Sequence, residues 1–268
     1  MAVTSIDTLI AGLNQPGRFQ KTTGTMEAPG VLHSTLYTAG IPGAGAPPAP
    51  GINGAALTTY AGQIPFSNPS SGNKYLAGIS ASASLVGSVL LLDRLWHNSG
   101  LVVTTTTAQA ITPVAIPARD LDGTTNGEGV YAALEVSTAT TNAGAIANTT
   151  ISYTNQAGTA GRTGTMPSFP ASAAAGTFVP FFLQAGDTGV RSVESVTLGT
   201  SYVTGAIHLV LYRVLAEIGV PVVALNVNQD AVACGMPRLY NNTVPFIVWL
   251  PSATTATTIW ANIRYTEG

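Results

Sequence analysis

The sequence predicts an all-β protein, a β-sandwich of jelly-roll type with a short N-terminal helix and a long extended Gly/Pro-rich N-terminal arm. Three observations predict it. From about Lys74 onward, apolar and β-branched runs are separated by turn residues at fairly regular spacing. Helix-length apolar periodicity is mostly absent over the same stretch. Before it, residues 21–71 are dominated by Gly and Pro, and residues 39–51 read AGIPGAGAPPAPG, a run that neither propagates a helix nor fits inside a sheet.

The helix is predicted at the start of the chain. Thr4 or Ser5 can cap it, and Ile6, Leu9, Ile10 and Leu13 fall at i, i+3, i+4 and i+7 on one face. The run Asn14-Gln15-Pro16-Gly17 stops it. Residues 1–73 are therefore assigned to helix and arm, and residues 74–268 to the sandwich domain. A stretch this long without secondary structure of its own is unusual inside a compact domain, so the arm is expected to pack on a neighbouring subunit rather than on its own chain.

Within the sandwich, strands are expected at 88–95, 101–107, 111–116, 129–137, 149–155, 164–167, 177–183, 190–198, 206–216, 222–225, 243–250 and 257–266. The segment 153–163 reads as a hairpin, two β-like stretches around a Gly-containing loop. The last strand alternates Ile259, Ala261, Ile263 and Tyr265 on one face with Trp260, Asn262, Arg264 and Thr266 on the other, which marks one core face. The continuous apolar run 205–219 fits a buried helix as well as a strand. Strand is preferred, because His208, Tyr212 and Arg213 leave no clean helical stripe and Pro221 follows. Residues 88–96 carry the same ambiguity. No repeat of fixed period is present, which argues against a solenoid or propeller.

Charged residues make up 8% of the 268 residues, against about 25% in an ordinary soluble protein. Ala and Thr supply roughly a quarter of the chain, so hydroxyls and small side chains cover the surface. With 10 basic and 12 acidic residues, net charge −2, and Lys21 and Lys74 the only lysines, the clustered cations needed for nucleic acid or anionic membranes are missing. A chain so poor in charge has little to keep copies apart, and much of its surface is expected to be covered by partners. Cys234 is the single cysteine, which excludes an internal disulfide and a cysteine-ligated zinc. No window approaches a transmembrane span, and residues 1–20 lack a basic segment followed by an apolar run. The expected chain is soluble.

No catalytic constellation emerges. His33, His97 and His208 are isolated in sequence, without a second ligand at metal spacing, and each reads as a hydrogen-bonded structural residue. No phosphate loop is present, since residues 123–129 have the wrong spacing. The densest polar stretch, Arg119-Asp120-Leu121-Asp122-Gly123-Thr124-Thr125-Asn126-Gly127-Glu128, offers hard oxygen ligands for calcium. It lacks a Glu at the twelfth place and reads better as a loop bonded to itself. Asp93-Arg94 with Trp96-His97 reads as an ion pair under an aromatic lid at the edge of the core, in preference to a catalytic Asp/His pair. Trp96, Trp249 and Trp260 are candidates for a sugar platform. Trp249, however, lies in an apolar run suited to a buried strand, and Trp260 to an interface. The expected catalytic, metal and cofactor residues are therefore none, and the expected protein is not an enzyme.

Four segments carry a resemblance: 91–109 (LLDRLWHNSGLVVTTTTAQ), 147–170 (ANTTISYTNQAGTAGRTGTMPSFP), 189–202 (GVRSVESVTLGTSY) and 241–259 (NNTVPFIVWLPSATTATTI). In style and phrase they resemble virion structural proteins of tailed bacteriophages. The resemblance implies a jelly-roll or β-sandwich subunit, most readily a capsid decoration (cement) protein. Such a protein forms a homotrimer, binds the major capsid protein or other virion proteins, resides in the virion and is synthesised in the host cytoplasm. Neck, tail or baseplate proteins and a glycan-binding host adhesin are the alternatives. No functional residue carries over, because the group has no motif to align.

Overall fold

The computed structural model describes residues 3–14, 17–25 and 28–268. Helix α1 (Ile6–Ala11) is followed by β1 (Gly17–Thr22), β2 (Leu32–Ser34), β3 (Gly40–Ile41), β4 (Ala55–Ala56), β5 (Lys74–Ala83) and β6 (Gly87–His97). Then come β7 (Gln109–Ala110), β8 (Val130–Thr138), β9 (Thr150–Asn155), β10 (Arg162–Thr165), β11 (Thr177–Pro180) and β12 (Val190–Thr197). The chain ends with β13 (Ala206–Val220), β14 (Val227–Gln229), β15 (Arg238–Leu239), β16 (Pro245–Pro251) and β17 (Thr258–Glu267).

The all-β expectation holds, and the strands form three layers. The middle layer is closed: β13, β8, β11, β2, β16 and β6 pair in that order, and β6 pairs again with β13. Every pairing in this ring is antiparallel. On one side lies the sheet β14-β5-β17-β1-β3, with β15 also on β5; on the other lies β10-β9-β12-β7. Three apolar cores follow from this layering. One, with Leu92, Phe178, Val210, Tyr212 and Phe246, fills the barrel. A second joins Val89, Leu91, Ile247 and Trp249 of the barrel wall to Phe19, Ile79, Ile259 and Ile263 of the first flanking sheet. The third joins Leu134, Val136, Leu209 and Leu211 to Ile151, Tyr153, Val193 and Val196 of the second.

The run 205–219 is a strand, and its continuous hydrophobicity has a cause. β13 is 15 residues long and contributes to all three cores, Leu209 to one, Val210 to another and Leu215 to the remaining one. Both faces are therefore buried, and no alternation survives. Register shifts at Leu211/Tyr212 and Val214/Ala216 bend it from one flank to the other. The hairpin forms as expected, with Tyr153 opposite Arg162. β17 shows the predicted alternation, with Ile259, Ala261, Ile263 and Tyr265 buried and Trp260 37% exposed.

Several expectations are corrected. Residues 101–107 and 111–116 are not strands. The first turns under the Gln109 side chain, which bonds both the N–H and the C=O of Val102, and the second contains Pro113 and runs into Pro117, which cannot donate to a ladder. Residues 222–225 form a turn closed by Leu225 N–H to Val222 C=O, with Ala224 at φ 59°. Strands β1, β2 and β5 lie outside the predicted set. β5, KYLAGISASA, is rich in small residues that signal no strand by propensity, yet it is held between β17 and β14.

The arm does not need a neighbour to cover it. Leu57 and Ile64 are buried at 7% and 0% exposure, Ile52 packs on the core, and of the four apolar residues at 41, 52, 57 and 64 only Ile41, at 45%, faces solvent. Backbone bonds tie the segment down, from Leu57 N–H to Leu95 C=O and from Ile64 N–H to Pro245 C=O. The buried Lys21 ammonium donates to the carbonyls of Thr35, Leu36 and Gly43. Gly54 sits at φ +69°, and a Cβ there would fall 2.1 Å from the Trp96 ring, so only glycine lets the arm lie this close.

Helix α1 is capped by Ser5, with Thr8 completing a reciprocal box, and ends at Gly12. The predicted stop at Gln15-Pro16 lies outside the described residues. None of the helical residues is buried, and Ile6, Ile10 and Leu13 are 76%, 58% and 43% exposed. Its apolar face looks away from its own core.

Candidate functional site

Eight of the charged residues are buried. Strand alternation sends consecutive side chains of β6 to opposite faces, so Asp93 and Arg94 do not pair with each other, contrary to the sequence reading. Asp93 accepts both Nε and Nη2 of Arg119, at 3.1 and 3.2 Å, and the Val244 N–H at 2.9 Å. Arg94 donates Nη2 to Glu135 Oε2 at 2.6 Å and Nε to His97 Nδ1 at 3.0 Å. Tyr37 donates to the same Glu135 oxygen at 2.7 Å. The Tyr60 and Phe246 rings each lie 5.6 Å from the guanidinium carbon. The rings over the guanidinium are those of Tyr60 and Phe246 and not of Trp96, which packs in another core, and they cover an Arg–Glu pair whose acidic member, from β8, sequence spacing could not supply.

The electrostatics follow from burial. Burial alone would raise Glu135, but the Arg94 charge and the hydrogen bonds from Arg94 and Tyr37 together hold it below its ordinary range, and burial pushes Tyr37 well up. His97 is pushed down to about 3, first by burial and then by the Arg94 charge, so its imidazole is neutral and accepts from Arg94 through Nδ1. His208 is pushed down by burial and bonds Ser137 Oγ at 2.6 Å and the Asn98 carbonyl at 3.0 Å. His33 is buried on β2, opposite Trp249 and Thr177. The His97 imidazole is neutral in the fold, and its Nδ1 is occupied by the Arg94 Nε–H.

The loop 119–128 closes on itself. Asp120, fully buried, accepts the N–H groups of Asp122, Thr124, Gly127 and Glu128 and the Thr124 hydroxyl. These bonds hold its carboxyl below the usual range against the opposing effect of burial. Two of the other candidate ligands turn elsewhere: Asn126 accepts from Arg191 and Glu128 from Thr188. Among the described residues no group of three His, Cys, Asp or Glu side chains is placed to hold a metal ion. The cleft lined by Thr58, Asn73, Arg238, Tyr240 and Asn242 contains no carboxylate among its described residues, so it lacks the acid pair that glycoside hydrolysis requires.

Sequence reasoning missed a second polar knot. Asp187 accepts Arg162 through Nε and Nη2, the Tyr153 hydroxyl at 2.5 Å and Asn155 at 2.7 Å, and the arginine bond holds it down to about 2. The hairpin around 153–163 was legible, but the partner 25 residues beyond Arg162 was not. Trp96 and Trp249 are buried, and Trp260 shows on the outer face of its sheet between Gln20 and Ser82.

What the surface offers instead is apolar contact. Ile6, Leu9 and Leu13 of the N-terminal segment, Ala77 and Val232 line an open groove of about 380 Å³, and Val232 is 90% exposed. Val222, Val223 and Leu225 are each half exposed or more, and Phe182 is 61% exposed beside β10. No helix among the described residues is long and apolar enough to cross a membrane.

No protein-family model and no curated protein sequence matches the chain. Solved structures of infectious bursal disease virus resemble it weakly. The Gt strain structure aligns at 9% identity and a TM-score of 0.20 over 95% of this chain and 80% of that one. The VP2 subviral particle aligns at 8% identity and a TM-score of 0.20 over 96% and 81%. At that score the similarity carries no weight for how the strands are arranged or for what the chain does.

Proposed function

We propose that this chain is a structural component of a tailed-phage virion, a capsid decoration or cement protein that self-associates as a homotrimer and binds the major capsid lattice without catalysing a reaction. The distribution of charge carries the reading. Of the 10 basic and 12 acidic residues, at least eight (Lys21, Lys74, Asp93, Arg94, Arg119, Asp120, Glu135 and Arg213) are buried. Aliphatic side chains meanwhile stand exposed at residues 6–13, 222–225 and 232. A free monomer places its charges outward and interspersed, whereas depletion of charge and exposure of aliphatics is the composition of an interface core. The phage context rests on the resemblance of the four sequence segments.

Imaging intact particles at residue resolution tests this directly. The expected result is density for this chain in three-fold-related copies seated on the outer face of the major capsid protein. Density at the neck, tail or baseplate would move the protein to another structural role. Glycan or peptide turnover by the purified chain, lost on Asp93→Ala, would replace the structural reading with an enzymatic one.

A further inference from the structure

We infer that the groove between helix α1 and the turn at Val232 is a self-association site, occupied by the α1 apolar face of a second copy of this chain. The inference rests on the self-association proposed above and assigns it a surface. A six-residue helix has too few turns to persist by itself in water. This one is held from outside its own hydrogen bonds: Thr266 Oγ1 donates to the Leu9 carbonyl, Asn14 N–H to the Tyr265 carbonyl and Glu267 N–H to the Gly12 carbonyl. Those contacts fix its backbone on the end of β17. They leave Ile6, Ile10 and Leu13 exposed, although i, i+4, i+7 spacing is the pattern of a helix that buries one face.

The complement to that ridge lies beside it. The groove is lined by Ile6, Leu9 and Leu13 of the N-terminal segment and by Ala77, Ala231 and Val232, and measures about 380 Å³, room for a pair of aliphatic side chains, while Ile10, 58% exposed and outside that lining, supplies the knob. Its polar rim is already engaged: Arg264 is bonded to Asn228, and Asp230 accepts the N–H groups of Val232 and Ala233. An incoming apolar ridge therefore strips few unpaired polar groups of water. A knob and a matching hole on one face of one chain are what an isologous pair or a closed heterologous ring requires.

Area supports the same occupant. Ile6, Ile10, Leu13 and Val232 together present on the order of 400 Å² of apolar surface, as large as the main patch of a typical monomer and about half of one side of a standard interface. That suffices for the core of a contact between copies held near each other on a lattice, where multivalency multiplies a modest affinity. A membrane is the other surface an exposed apolar helix could meet. Such helices carry Lys and Arg on the polar face, and α1 has none, with Asp7 as its charged residue.

The test compares the full chain with Ile10→Asp and Val232→Asp by sedimentation velocity across a hundredfold range of concentration, with thermal melts to verify folding. Both positions are exposed, so the melting midpoint should stay where it is. The expected result is a self-associating parent chain whose association weakens at least tenfold in each variant. Association unchanged in both variants would overturn the assignment and leave self-association through another surface. A parent chain that is monomeric throughout would overturn both the assignment and the self-association on which it rests. A cross-linking arm uses Ile10→Cys with Val232→Cys in a Cys234→Ser background. Disulfide-linked dimers between the two single-site variants, mixed, are expected, and their failure to form while the chains associate would also overturn it. Loss of binding to phosphatidylcholine/phosphatidylglycerol vesicles in Ile10→Asp, with no change in association, would assign the face to a membrane instead.

Discussion

Arg94 and Glu135, 41 residues apart in sequence, meet at 2.6 Å inside the closed barrel with neither side chain exposed to solvent. Such a pair stabilises less than its Coulomb attraction suggests, because both ions were removed from water to form it. Arg94 Nη1 and Glu135 Oε1 make no hydrogen bond, which lowers its net worth further. Removing one partner is a different matter, since it strands the other charge in an apolar barrel. Arg94→Met and Glu135→Leu should each cost about 3 to 5 kcal/mol, and the double variant much less than their sum. Denaturant unfolding of the four proteins checks this, and additive single losses would show that the two groups act independently.

Acid should unfold the protein through its histidines as well as its carboxylates. His97 is held at about 3 in the fold and titrates near 6.5 when unfolded. Between those values the unfolded chain binds more protons, so stability is full above about 6.5 and is lost as pH falls toward 3. The lowered His208 acts in the same direction. Up to about 5 kcal/mol is at stake for His97. His97→Gln keeps an acceptor for Arg94 Nε without the titration, and its unfolding midpoint should fall less steeply between pH 6.5 and 4 than the parent's. Equal slopes would mean that His97 takes no part.

The loop 119–128 should be insensitive to calcium. Asp120 spends its two oxygens on five donors within the loop, and Glu128 is turned to Thr188. A ligand that binds only the fold raises stability with its concentration, so millimolar calcium should leave the melting midpoint within about 1 °C. Asp120→Ala should instead cost about 3 kcal/mol by leaving buried donors unpaired. A rise of several degrees with calcium would mean that the loop reorganises around the ion.

The sequence made some features legible and hid others for identifiable reasons. Period-two alternation exposed β17, and turn chemistry exposed the β9–β10 hairpin, because both signals are local. Closure of the barrel was hidden, since it depends on β2 and β11, three and four residues long, too short to show a period. The arm's extended character was legible but its packing was not, because Gly and Pro density reports the lack of regular structure and says nothing of what the segment lies on. Leu57 and Ile64 were the residues that mattered there. In the candidate site, Arg94 was visible as a charge in an apolar strand, but whether it faced Asp93 or Glu135 was set by a pleat and a register that only the fold supplies.

If the exposed surfaces are interfaces, attachment of this chain to its particle should resist salt. With 8% charged residues, at least eight of them buried, and a net charge of −2, the surface offers a sparse and nearly balanced set of charges for an electrostatic contact. Raising ionic strength from about 0.05 to 0.5 M shortens the Debye length roughly threefold, which releases a partner held by charge. An apolar, hydroxyl-rich contact is indifferent to that screening, and strongly hydrated anions such as sulfate strengthen it by favouring burial. Purified particles washed in sodium chloride at these two strengths, and in ammonium sulfate, should retain the chain equally in the first pair and at least as well in the last. Quantitative release in sodium chloride would point to a peripheral, charge-steered component and would count against an apolar interface with the capsid.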